Sequence, residues 1–91
     1  MIRTTVRVEN ELGLHARAAA RLVRLTARFE SDIKFGRRNS QQQVDGKSIL
    51  GILLLAAGQG TQLELIVAGG DENETVEAIQ SLFRELFGEE K

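Results

Sequence analysis

The chain contains a single histidine, His15, and no cysteine. His15 follows Gly13-Leu14 and precedes Ala16-Arg17-Ala18-Ala19-Ala20, a run of strong helix formers, so its ring stands where a helix begins. At such a junction the first backbone N–H groups have no intrahelical partner, and the peptide dipoles present their positive end. An anion carried on the ring would meet backbone donors, those of Arg17 and Ala18, with the Arg17 side chain beside them. The same positive end favours an uncharged imidazole, which is a nucleophile. Its chemistry would be reversible capture of a phosphoryl group as a phosphoramidate, with positioning and charge stabilisation as the protein's share of the work. In most proteins, however, a lone histidine ahead of a helix is a cap or a surface residue. A metal centre would need carboxylates to replace the missing second His or Cys, and no nucleophile–acid pair for a hydrolytic triad stands out. The isolated residue decides nothing.

Two further groups could serve such chemistry. Arg17, Arg21, Arg24 and Arg28 are spaced 4, 3 and 4 residues apart, which puts all four on one stripe of a helix. The stripe could be only a solvated face, but it starts beside His15 and suits docking of an acidic partner. Ser48 precedes the apolar stretch Ile49-Leu50-Gly51-Ile52-Leu53-Leu54. Capping alone would explain it there. A phosphate on it would add negative charge at another helix start and repel acidic partners.

These residues must be positioned by a chain of 91 residues, enough for one domain over 1–91. Thr4 to Val8 reads as a strand and Glu9 to Leu14 as a loop. Ala16 to Phe29 reads as a helix, with Ala19, Leu22, Val23, Thr26 and Phe29 facing a core. Asp32 to Phe35 and Gln41 to Val44 read as a hairpin about a turn at Gly36 to Asn39. Asp45-Gly46 breaks the second strand, and a short helix runs from Ile49 to about Ala57, ended by Gly58-Gln59-Gly60. Its Ile49, Leu50, Leu53 and Leu54 are core residues by default. Gln62 to Val67 alternates as a strand with Leu63, Leu65 and Val67 on one face. Asp71 and Glu74 have capping-box spacing before a last helix that buries Val76, Ile79, Phe83 and Leu86. The order is β-α-β-β-α-β-α. The fold class expected is α+β, an open-faced β-sandwich with a four-stranded antiparallel sheet and three helices on one face. Gln41, Gln43, Gln62 and Glu64 would face outward on the other.

Composition excludes several classes. The formal charge of −1 gives no general attraction to nucleic acid. Basic residues crowd the first half, from Arg3 and Arg7 to Arg37 and Arg38, while Asp71, Glu72, Glu74, Glu77, Glu85, Glu89 and Glu90 make the end acidic. Met1-Ile2 followed by Arg3 gives no sign of a signal peptide, and no apolar run suits a bilayer. The absence of cysteine fits a reducing cytoplasm. An RNA-binding sheet would need exposed aromatics. The four phenylalanines are the only aromatic residues, and Phe29 and Phe83 lie on apolar helix faces.

Gly13-Leu14-His15-Ala16-Arg17-Ala18-Ala19 resembles the active-site segment of HPr, the histidine-containing phosphocarrier of the bacterial sugar phosphotransferase system. Lys47-Ser48-Ile49-Leu50-Gly51 resembles that family's regulatory serine and its helix. Gly60, the Leu63 to Val67 strand and Gly70-Asp71-Glu72-Asn73 resemble its closing segment. The resemblance implies that a phosphoryl group from phosphoenolpyruvate arrives through enzyme I and is carried on Nδ1 of His15. It then passes to sugar-specific enzyme II acceptor domains. Arg17 would help neutralise the group, and Ser48 would be the target of a serine kinase and phosphorylase. Arg17, Ala20, Arg21, Arg24, Ile49, Leu50 and Leu53 would form the partner surface. The family implies a cytoplasmic monomer that carries phosphoryl groups without independent turnover and needs no cofactor or metal. The carrier of the nitrogen-related branch of the same system is an alternative, because motifs around the histidine do not separate the two. One residue departs from the family pattern: proline usually follows the Ala-Arg pair, and here the position is Ala18. The first turn should therefore be less preorganised and have one more donor.

Overall fold

A computed structural model describes residues 1–38 and 40–91. The strands are β1 (Ile2–Arg7), β2 (Asp32–Arg37), β3 (Gln43–Asp45) and β4 (Gln62–Ala68). The helices are α1 (Ala16–Thr26), α2 (Ile49–Leu54) and α3 (Glu72–Arg84), followed by a 3-10 turn over Leu86–Gly88. One sheet has the order β1-β4-β2-β3, with every neighbouring pair antiparallel. The fold is the open-faced sandwich that the pattern of elements implies. Among the described residues no helix is long and apolar enough to cross a membrane.

The alternation in β4 decides its central place. Leu63, Leu65 and Val67 are fully buried, and register sets Leu65 opposite Phe35 and Thr4, and Val67 opposite Ile33 and Ile2. Leu65 and Val67 thus have apolar or half-buried neighbours across both pairings. The core is completed by Ala18, Ala19 and Leu22 of α1, Ile52 of α2, and Val76, Ile79 and Phe83 of α3. Phe83 stacks on Phe35, with centroids 6.1 Å apart, and meets Phe87 edge-on at 4.8 Å. With Phe35, Phe83 and Phe87 interior and Phe29 half-buried, the sheet offers no aromatic platform for stacked bases.

Several element boundaries differ from the sequence reading. β1 begins at Ile2 and ends at Arg7, one residue before Val8, whose N–H still donates to Thr61 O at 2.9 Å. α1 stops at Thr26 and not Phe29, because Thr26 Oγ1 donates to Val23 O and Gly46 O, and the Phe29 carbonyl receives Lys47 Nζ at 2.6 Å. β2 continues through Gly36 and Arg37, since those residues pair with Glu64 and Leu63. The expected turn therefore shrinks toward Arg38, and its last residue, Asn39, lies outside the described residues. β3 covers Gln43–Asp45 and not Gln41 to Val44, with Asp45 paired to Lys34. α2 ends at Leu54, where Arg37 donates to Leu55 O at 2.9 Å and Ala56 O at 2.8 Å. These bonds satisfy carbonyls that a longer helix would have used.

The capping box at Asp71 does not form. Its carboxylate makes no cap bond to α3 and instead accepts from Glu30 N at 2.8 Å, Ser31 N at 3.0 Å and Ser31 Oγ at 2.5 Å. Asp71 therefore ties the α1–β2 connection to the start of α3. The Ser31 hydroxyl, and then the Glu30 N–H, hold its carboxyl down to about 2 against the opposing effect of burial. At the other end, α3 stops at Arg84, so Leu86 lies beyond it and is only half-buried. Phe87 fills the core position, reached because Leu86 and Phe87 both take left-handed backbone angles, φ 59° and 55°.

Candidate active site

The loop before α1 is built to deliver His15. Gly13 has φ 70°, and a Cβ there would stand 2.7 Å from Ala57 O and 2.8 Å from Gly58 Cα. Only glycine allows both that conformation and that approach. Leu14 N–H then donates to Ala57 O at 2.9 Å and the Leu14 side chain is buried. The segment after α2 is thereby fastened beside the start of α1.

His15 is the N-cap residue of α1, with extended backbone angles and no side-chain cap bond. The first helical hydrogen bond runs from Ala19 N to His15 O at 2.8 Å. The N–H groups of Ala16, Arg17 and Ala18 therefore precede it and carry the positive end of the helix. The Arg17 side chain is exposed one turn-position away, whereas the Ala18 side chain is buried and contributes through its backbone.

The opposite side of the ring is occupied. His15 Nε2 lies 2.5 Å from Glu89 Oε2, and the His15 side chain is 29% exposed against 9% for Glu89. Glu89 Oε1 accepts from Asn10 Nδ2 at 2.9 Å, and the same nitrogen donates to Gly13 O at 2.8 Å. Burial works against ionisation of Glu89, but bonds from Asn10 and His15 and the charges of His15 and Arg17 outweigh it and hold the carboxyl below its ordinary value. An ionised carboxylate can only accept, so Nε2 carries a proton, and in the neutral ring this leaves the lone pair on Nδ1. The ring thus stands at the positive end of α1 and also has a carboxylate on its Nε2 side.

The remaining predicted residues lie on α1 and α2, which pack against each other. Arg24 is exposed and Ala20 is half-buried. Arg21 is half-buried because Nη1 donates to Phe87 O at 2.5 Å. Ile49, Leu50 and Leu53 are 41%, 71% and 37% exposed, and Leu54 is 79% exposed. Their default assignment to the core is overturned, since Ile52 and Leu55 point inward instead. Ser48 caps α2, its Oγ accepting from Gly51 N at 3.1 Å.

Asn10 and Glu89 were not singled out from the sequence. Asn10 reads only as a loop residue, and Glu89 as one of several acids near the end. Their roles arise from a hydrogen bond between positions 79 residues apart.

A family model described as the phosphorylation site of the phosphotransferase system's HPr component matches residues 2–85, leaving the 86–91 tail outside. A phosphocarrier protein HPr of Treponema pallidum is 46% identical over 90 residues, covering 99% of this chain and 100% of its own. The crystal structure of an HPr from Thermoanaerobacter tengcongensis, titled HPr-C-His, superposes with a TM-score of 0.92 at 38% identity, covering both chains completely. A structure titled as an HPr dimer from the same organism gives 0.76 at 38% identity, covering 98% of this chain and 100% of its own.

Proposed function

This chain belongs to the HPr family, the phosphocarriers of the phosphotransferase system, and on that premise we propose that His15 is its phosphoryl-carrying residue, loaded by enzyme I and unloaded onto sugar-specific enzyme II acceptor domains. The observation that carries this reading is the placement of His15 at the N-cap of α1, with Nε2 engaged by Glu89 and Nδ1 left as the nucleophile. A phosphoryl group arriving from phosphoenolpyruvate by way of enzyme I bonds to Nδ1. Its oxygens are received by the N–H groups of Arg17 and Ala18, and the Arg17 guanidinium offsets their charge. The group leaves by the reverse step, with no cofactor or metal required.

Partners dock on a mixed surface of Arg17, Ala20, Arg21 and Arg24 from α1 with Ile49, Leu50 and Leu53 from α2. Exposed apolar side chains beside cations suit brief contacts with acidic partners. Phosphorylation of Ser48 by a serine kinase, reversed by a phosphorylase, would place negative charge at the start of α2 within this surface and weaken docking. We read the carrier as a cytoplasmic monomer.

The test is incubation with enzyme I and labelled phosphoenolpyruvate. An acid-labile, base-stable phosphate should map to His15 and be lost in His15→Ala. Label that persists in His15→Ala, or maps elsewhere, removes this reading. Offering the phosphorylated protein to sugar-permease acceptor domains separates the sugar branch from the nitrogen-related one.

A further inference from the structure

We propose that Glu89 is a positioning residue for transfer through His15: its carboxylate holds the proton on Nε2 and offsets the positive charge that the ring acquires while it carries the phosphoryl group. The inference rests on the reading of His15 as the phosphoryl acceptor.

Three observations carry it. The Glu89 carboxylate is nearly enclosed and lies 2.5 Å from Nε2, while its second oxygen is held by Asn10. Asn10 is fully buried, and its Oδ1 has no hydrogen-bond partner among the described residues. An unpaired buried oxygen is destabilising, so the amide is oriented by what its nitrogen must hold, the Gly13 carbonyl and Glu89. Lastly, the tail that brings Glu89 to the ring is anchored on both sides of it. Phe87 is in the core, Arg21 binds the Phe87 carbonyl, and Glu11 N–H donates to Lys91 O at 2.9 Å. Glu11, Arg17, Arg21, Glu90 and Lys91 line the same cleft, but the ring's hydrogen bond goes to Glu89.

The chemistry balances without a proton changing hands. On loading, the Nδ1 lone pair forms a bond to phosphorus, the donor's bond to phosphorus breaks, and its electron pair leaves with the donor. The His15 ring is then a cation with its proton still on Nε2. On unloading, the Nδ1–phosphorus bond breaks, its pair returns to Nδ1, and the ring is neutral again with the same proton. A carboxylate on Nε2 stabilises the charged stage, as the acid of a catalytic triad stabilises an imidazolium. Without it, the phosphorylated ring loses its Nε2 proton in mildly alkaline solution and becomes a poor leaving group.

Glu89→Gln keeps the side chain's shape and an acceptor for Asn10 while removing the charge. Glu90→Gln removes a neighbouring charge in the same cleft. The native protein and both variants are phosphorylated with enzyme I and phosphoenolpyruvate, freed of enzyme I, and followed by mass spectrometry at mildly alkaline pH. Phosphate on His15 should be lost about fivefold more slowly in Glu89→Gln, the scale by which a charge-assisted hydrogen bond exceeds a neutral one. Glu90→Gln should decay like the native protein. The ring Nε2–H resonance should be protected from solvent exchange in the native protein and not in Glu89→Gln. Equal half-lives in Glu89→Gln and the native protein, or equal slowing in both variants, overturn the proposal. Failure of the native protein to take label on His15 is a different result and removes the reading beneath it.

Discussion

Phe87 offers a way to separate the energy of a side chain from that of its backbone. The ring is fully buried and meets Phe83 edge-on at 4.8 Å, while the backbone is left-handed, with φ 55° and ψ 28°. Phe87→Ala removes the ring and keeps a Cβ in the left-handed region, so the full large-to-small cost applies, about 3–5 kcal/mol. Phe87→Gly removes the ring as well but relieves the left-handed penalty of about 1–2 kcal/mol. Against that stands about 0.4–1 kcal/mol for the greater freedom of glycine in the unfolded chain. The glycine variant should therefore be more stable than the alanine variant by about 0.5–1 kcal/mol, the reverse of their order within a helix. In a domain of this size each 1 kcal/mol moves the melting temperature by about 4–8 °C, so Phe87→Ala should melt at least about 12 °C below the native protein. Urea titration and thermal melting followed by circular dichroism measure both effects. Since the ring anchors the tail, the Glu11 amide should also lose its protection from hydrogen exchange. A loss under about 1.5 kcal/mol in both variants, or a glycine variant clearly weaker than the alanine one, would refute the reasoning.

Acid should act through Asp71. A carboxyl depressed on folding stabilises the native state above its unfolded value and loses that contribution as pH falls through its folded value. Native stability should accordingly decline between the ordinary 3.8 and about 2. Asp71→Asn should be weaker near neutral pH and flatter across that window; melting curves against pH that keep the native acid limb would contradict this. Gly46→Ala should cost about 1–3 kcal/mol, because the new Cβ would stand 2.4 Å from Ile33 Cγ2 and 3.0 Å from Phe35 Cε2. Denaturation at the native midpoint would show that the core yields there at no cost.

Local patterns in the sequence carried the elements and the chemistry at the end of α1. Alternation in Gln62 to Val67 and the 3.6-residue spacing in α1 and α3 reflect burial on one face, which a short window of sequence records. Gly13 before His15 and the helix formers after it similarly set the ring at a helix start. The boundaries shifted where side chains from elsewhere take over backbone groups, as Arg37 does after α2, Lys47 after α1 and Asp71 between Ser31 and α3.

By itself, then, the sequence determined which segments are helix and strand, that the sheet has one covered face, and that the sole histidine stands at the start of α1. Tertiary structure alone decided that β4 lies between β1 and β2, that Leu54 stays outside the core, and that Glu89 reaches His15. The physical reason is range. Periodicity and caps are settled within a few residues, whereas a hydrogen bond spanning 74 positions depends on where the whole chain has folded, and no local pattern encodes it.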